Sequence, residues 1–192
     1  MSHFRLSAHL LIAFLILSLI YWNYLKIKIS KNISNKLNII IPLLFLILIF
    51  LQISIGAFVS GMDAGKIYNS WPLMGSSYFP DDNNLNNLFK VTALSDPSLV
   101  QFIHRNLAYV IGIFYVLILY KVYINKMHDL YKSINYLGIF IILQIILGIF
   151  TVLYGAQIFV ASMHQISSIF LVSSSIYFFY LNTEINLSLI HI

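Results

Sequence analysis

The sequence predicts an all-α integral membrane protein with five transmembrane helices, the last four forming a pseudo-symmetric antiparallel four-helix bundle. Three observations carry this expectation. The 192-residue chain is 60% hydrophobic and 9% charged, against roughly 25% charged residues in an ordinary soluble domain. Five apolar runs are each long enough to cross about 30 Å of hydrocarbon, which takes roughly 20 helical residues. An eight-residue segment also recurs in the second and fourth of those runs.

The first span is predicted over 4–25. It begins close to Met1, is too long for a secretory signal and has no lysine at its front, so it reads as a retained helix. Segment 26–36 carries Lys26, Lys28, Lys31 and Lys36, and the second span follows at 38–61. The 62–98 segment is the longest connection. It holds Gly65, Pro72, Gly75, Pro80 and Pro97 with an asparagine-rich stretch from Asn83 to Asn87, a composition of turns, and a short surface helix is expected around Leu85 to Leu94. The third span covers 99–120. Segment 121–133 sets Lys121, Lys126 and Lys132 against Asp129, and the fourth and fifth spans, 134–154 and 158–181, are joined by the turn Gly155-Ala156-Gln157. Both lysine-rich connections fall on one side. By the positive-inside rule that side is the cytoplasm or matrix, which places the N-terminus, the 62–98 loop and the 155–157 turn outside and the C-terminus inside. The whole chain, 1–192, reads as a single membrane domain.

The repeat pairs Leu51-Gln52-Ile53-Ser54-Ile55-Gly56-Ala57-Phe58 with Leu143-Gln144-Ile145-Ile146-Leu147-Gly148-Ile149-Phe150, five identities in eight positions. Each copy is followed by an outward exit and a returning helix with a histidine near its outer end. The last four helices are therefore expected to be two copies of one hairpin, with the site between the copies.

Of six histidines, His3, His128 and His191 fall at ends or in a loop and read as solvated. His9, His104 and His164 fall inside spans, at one depth. An imidazole in hydrocarbon is costly unless paired, so each marks a candidate site; a helix–helix hydrogen bond is the competing explanation for any one alone. Two at equal depth on repeat-related helices favour axial ligation of a haem, which needs one nitrogen from each of two facing helices. Zinc would want a third or fourth ligand, and with no cysteine in the chain and no nearby intramembrane carboxylate none is supplied. One turn inward lie Ala108 and Gly112 beside His104 and Ser167 and Ser168 beside His164, small residues that leave room for a flat macrocycle or let helices approach closely. The two arginines, Arg5 one turn outward of His9 and Arg105 next to His104, stand at the level where haem propionates would lie; snorkelling to headgroups is the alternative. Asp63, at the outer edge, reads as a loop or helix-end hydrogen bonder.

At this point the residues resemble a known family. Gly56-Ala57-Phe58-Val59-Ser60-Gly61-Met62-Asp63-Ala64-Gly65, with Tyr68-Asn69 and Trp71-Pro72-Leu73-Met74, look like the outer-loop signature of haem A synthases. Gln101-Phe102-Ile103-His104-Arg105 and Met163-His164-Gln165 look like the histidine motifs of that family's second half, and Arg5-Leu6-Ser7-Ala8-His9-Leu10 resembles the start of its fourth helix. The resemblance implies eight helices in two four-helix halves, each with a histidine pair. The second-half pair binds haem b; the first half receives haem o, whose C8 methyl is oxidised through a hydroxymethyl to a formyl group, giving haem A for cytochrome oxidase. On this resemblance His104 and His164 are the axial ligands of haem b, Arg105 contacts the cofactor, and His9 and Arg5 lie on the substrate-haem side. No catalytic residue is identified.

The chain departs from the family pattern by starting at what resembles the fourth helix. Three helices, the partner of His9 and the family's glutamate three residues before that partner are absent, so a fragment or a split gene product is expected. The expected partners are membrane lipid, the haem o substrate, a polypeptide supplying the first half, and a haem o synthase; no nucleic acid is expected. The expected location is the bacterial cytoplasmic membrane or the mitochondrial inner membrane. A non-enzymatic b-type cytochrome using the same two histidines, or an inactive fragment, is the competing function. A pore or transporter is disfavoured by the lack of an acidic residue in the middle of any span.

Overall fold

A computed structural model of the chain describes residues 2–29 and 33–183; Lys31 and His191 lie outside the described residues. Five long helices, α1 His3–Lys28, α2 Ile40–Gly61, α3 Pro97–Ile124, α4 His128–Leu153 and α5 Ile158–Asn182, account for nearly all the regular structure. All five are long and apolar enough to cross a membrane, and no strand occurs among the described residues. α1, α3 and α4 run past the hydrophobic stretches that define them, α1 as far as Lys28. α4 starts at His128, ahead of the expected 134, because Leu130 and Ser133 are buried in its first turns, and α3 continues to Ile124 because Val122 is fully buried. The expected surface helix in the long loop is instead two short 3-10 segments, Leu85–Phe89 and Val91–Ser95.

Three helix ends are closed by local chemistry. α1 starts at Ser2, whose hydroxyl accepts from the Arg5 N–H at 3.4 Å. α3 starts at Asp96, which accepts from the Leu99 N–H at 3.1 Å and is followed by Pro97, a residue whose fixed φ suits a first helical turn. The turn after α4 needs two consecutive left-handed residues, Gly155 and Ala156, and is closed by Ala156 N–H donating to the Thr151 carbonyl at 2.8 Å.

Helices pack as α2 on α3, α3 on α4, α4 on α5 and α5 on α2, with α1 lying against α2 and α5. The continuous apolar core occupies the half of the helices nearest the lysine-rich connections. It is built from Phe45 and Ile49 of α2, Ile111 and Ile118 of α3, Ile134 and Leu137 of α4, and Val172 and Phe178 of α5. Asn182 closes this end by accepting the Leu37 N–H at 2.9 Å through Oδ1, and Asp129 accepts from both the N–H and the hydroxyl of Ser34 at 3.1 Å. α1 joins through Trp22, whose ring meets Phe179 and Tyr180 at 5.5 and 5.2 Å. At the opposite end, which carries the 62–96 loop and the 154–157 turn, the helices meet through glycines and polar groups. Ser7 donates to the Ser54 carbonyl at 3.0 Å, and a Cβ on Gly61 would come within 2.9 Å of His3 Cβ. The apolar core therefore ends before the depth of the histidines.

Candidate functional site

His104 stands seven residues after Pro97 and His164 six after Ile158, so the two reach a similar depth below the loop end. Both rings rest on a glycine of the neighbouring helix. A Cβ on Gly56 of α2 would lie 3.0 Å from His104 Cε1, and a Cβ on Gly148 of α4 would lie 3.2 Å from His164 Cε1; any larger residue would push the imidazole aside. One turn along the same helix face, Gln52 donates through Nε2 to the His104 carbonyl at 3.1 Å, and Gln144 donates to the His164 carbonyl at 3.1 Å.

The two imidazoles stand on α3 and α5, the returning helices of the two repeat copies. Nδ1 of each is buried and without a hydrogen-bond partner, as is Oε1 of Gln52. A buried polar atom left unpaired costs about 1–3 kcal/mol, so their coincidence at one depth marks a place designed for something other than close packing. Among the described residues no group of three or more His, Cys, Asp or Glu comes together to hold a metal ion. The donor set is thus two neutral nitrogens from two helices, which fits haem iron and does not fit a zinc centre. The flanking residues fit a flat group as well: a Cβ on Gly112 would meet nothing closer than Ile145 Cδ1 at 4.0 Å. Ser167 is buried and bonded on both sides, accepting from Gln144 of α4 at 2.6 Å and donating to the His164 carbonyl of its own helix at 3.0 Å.

Arg105 is 8% exposed and turns toward the loop. Its terminal nitrogens donate to the carbonyls of Ser70 at 2.9 Å, Tyr68 at 2.9 Å and Leu73 at 3.4 Å, while Nε has no partner. Gln101, one turn before it, donates to the same Tyr68 carbonyl at 3.0 Å. Around this strut the loop packs on one face of α3: Trp71 Nε1 donates to Tyr109 Oη at 2.9 Å, Tyr78 Oη donates to Asn106 at 2.6 Å, and Phe79 meets Phe102 at 5.0 Å. Met74 is completely buried beneath it. At the tip Asp81 accepts from the Ser76 N–H at 2.7 Å and from the Ser76 and Ser77 hydroxyls at 3.0 Å. These bonds hold its carboxyl below the ordinary carboxylate range. At the base, burial alone would raise the Asp96 carboxyl, but bonds from Ser98, the Leu99 N–H and Asn83 together outweigh it and set the group low.

The remaining sequence candidates fall elsewhere. His9 and Arg5 are exposed on α1. Asp63, left-handed at φ 52°, is an exposed ion-pair partner of Lys66 at 2.6 Å and makes no side-chain bond to the end of the short helix that follows it. His3 is half-buried with Nε2 unpartnered, and its ring packs on Phe4 and Phe58 at 4.2 and 5.5 Å. His128 is exposed at the start of α4. Sequence reasoning missed Gln52, Gln144, Gly56 and Gly148 as parts of the site. Their signal was in plain view, because the two pairs are two of the five identities of the internal repeat.

Comparison with known proteins adds an independent line. A "Heme A synthase" of Pelagibacter ubique (strain HTCC1062) is 43% identical over 183 residues, covering 95% of this chain and 54% of the relative. Those of Rickettsia bellii (strain RML369-C) and Rickettsia prowazekii (strain Madrid E) are 38% and 37% identical, covering 90% and 94% of this chain and 52% and 54% of their own lengths. The chain thus spans about half the length of the curated relatives it matches. No solved structure matches it. The family model for the cytochrome oxidase assembly proteins matches residues 1–176, the stretch that contains both seated histidines, the loop and its arginine strut; the chain belongs to this COX15-CtaA family.

Proposed function

We propose that this chain is the cofactor-bearing portion of a haem A synthase, an oxidoreductase of haem biosynthesis that oxidises the C8 methyl of haem o to the formyl group of haem A. The relatives carry that name, and the chain spans about half their length. In this reading α2 to α5 are the pseudo-symmetric bundle, and His104 and His164 hold haem b between the two copies. His9 and Arg5 serve the substrate-haem side, in company with the part of the relatives' length that this chain does not span. The lysine-rich connections face the cytoplasm, which makes the loop end the outer one and the protein a multi-pass inner-membrane protein. The bound haem supplies one-electron redox chemistry. The protein's own part is to hold and shield: the imidazoles fix the group's depth, Gly112 and Ala108 leave space for its plane, and the apolar core below excludes water. Arg105 places a cation at the outer level, where a propionate would find it.

One observation carries this reading. Two repeat-related histidines, each resting on a glycine and each with a buried, unpartnered Nδ1, form a two-nitrogen donor set with no third ligand among the described residues. The test is the spectrum of the purified chain. A low-spin b-type haem lost on His104→Ala or His164→Ala is expected, and a spectrum indifferent to both substitutions refutes the assignment. A second reading, an electron-carrying b-type cytochrome, is favoured by the exposure of His9, which leaves the substrate side without a paired imidazole. Haem o added with and without a first-half polypeptide separates the two: a synthase portion yields haem A only when that partner is present, and a carrier yields none in either case.

A further inference from the structure

We infer that Gln52 with Gly56, and Gln144 with Gly148, are positioning residues that set the rotation of the two ligand imidazoles. This rests on the reading of His104 and His164 as haem ligands, and it assigns a role to the repeated residues that binding alone does not. In each copy glutamine precedes glycine by four residues, one helical turn and about 6 Å along the same face. The glutamine amide takes hold of the histidine's backbone carbonyl at 3.1 Å in both copies, which fixes the register of the histidine helix against its neighbour. The glycine then receives the same histidine's ring edge-on at Cε1. Carbonyl and ring of one residue are thus gripped at two points one turn apart, and rotation about the side-chain bonds is confined.

The grips differ in a way that yields a prediction. A backbone carbonyl only accepts, so the Gln52 atom bonded to it is the amide nitrogen, and the second hydrogen of that nitrogen faces His104 Nε2 at 3.3 Å. Gln52 thus reaches both the carbonyl and the ring of His104 through one amide nitrogen, and Nδ1 is left without a partner. Gln144 instead spends its second contact on Ser167, which itself donates to the His164 carbonyl at 3.0 Å. His164 is held by two side chains and His104 by one, so His104 is the ligand that depends more on its glutamine.

The experiment uses the full chain purified with its haem and reads the highest g value of the low-spin EPR signal together with the haem-to-protein ratio. Gly56→Ala and Gly148→Ala add one methyl to each seat, and because alanine is the better helix former by about 1 kcal/mol, both variants are expected to fold. Each should shift the g value, Gly56→Ala more, since its Cβ lies 3.0 Å from the ring against 3.2 Å. Gln52→Met, which keeps length without a donor, should shift the signal and weaken haem retention by about tenfold, the usual scale for a lost partner of a metal ligand; Gln144→Met should do less, because Ser167 remains. Ile47→Ala, on the exposed side of α2, serves as the unaltered control. An unchanged g value in all four variants, with haem still lost on His104→Ala, overturns the positioning role and leaves the haem reading standing. A parent chain without a histidine-dependent haem signal overturns both.

Discussion

The α2–α3 hairpin and the α4–α5 hairpin carry the same histidine seat and differ in what lies above it. In the first, a loop from 62 to 96 folds back over α3 and is strutted by Arg105; in the second, the chain turns within four residues, 154–157. The residue after the histidine follows the same division, since Arg105 is buried and Gln165 is exposed. The seat depends on helix-to-helix contact one turn apart, which a repeat preserves by keeping glutamine and glycine. The loop depends on contacts made once, and only the first copy invested in them. One hairpin therefore combines a seated histidine with an ordered cover, while the other supplies a seated histidine alone.

The comparison breaks most clearly at Arg105. Arg105→Gln removes up to three charge-assisted bonds to loop carbonyls and should open the loop by about 2 kcal/mol, roughly thirtyfold in the open population, whereas Gln165→Ala should change nothing measurable. Limited proteolysis of the 68–82 segment in oriented vesicles reads this directly. The same variant should lower the haem midpoint potential if the guanidinium also faces a propionate, so equal potentials with faster proteolysis would confine Arg105 to the loop.

A smaller effect is expected where the hairpins meet. Gly138 of α4 lies against Tyr115, whose Oη donates to the Ile134 carbonyl at 3.3 Å, and a Cβ there would fall 2.0 Å from that oxygen. Gly138→Ala should lower thermal stability in detergent by about 1–2 kcal/mol through displacement of the ring. Gly112→Ala in the first hairpin meets open space and should raise the stability of the haem-free chain by up to about 1 kcal/mol. Equal melting temperatures for the two variants would contradict the distinction between a packed and an open glycine.

Asn69 ties the two tips together, donating to Gly65 O at 3.1 Å and to Val152 O at 3.0 Å. Asn69→Ala should cost about 1 kcal/mol and raise hydrogen exchange in both the loop and the 154–157 turn; a rise in the loop alone would show that the tips are independent. The smallest expected effect is that of pH on the loop tip. Because Asp81 is held below its ordinary value by the Ser76 and Ser77 bonds, its contribution is fully present above the unfolded carboxylate pKa and disappears as pH falls through the lowered folded value. Protection of the Ser76 amide should fall across that acidic window in the parent chain and be pH-independent in Asp81→Asn.

What the sequence determined by itself was whatever local hydropathy and periodicity encode. Five apolar runs specify five helices, because a backbone in hydrocarbon must satisfy its own hydrogen bonds. The spacing of His104 and His164 from their helix starts fixes their depth, and the repeat marks the positions that matter around them. The helix start at His128 was hidden because Leu130 is buried by neighbours distant in sequence, which a hydropathy window does not register. Tertiary structure decided the rest. Which groups Arg105 touches depends on a loop that returns from more than thirty residues earlier in the chain. That Gln52 and Gly56 grip one residue from two sides depends on the register of α2 against α3, and a register is a property of two packed surfaces that neither helix carries alone.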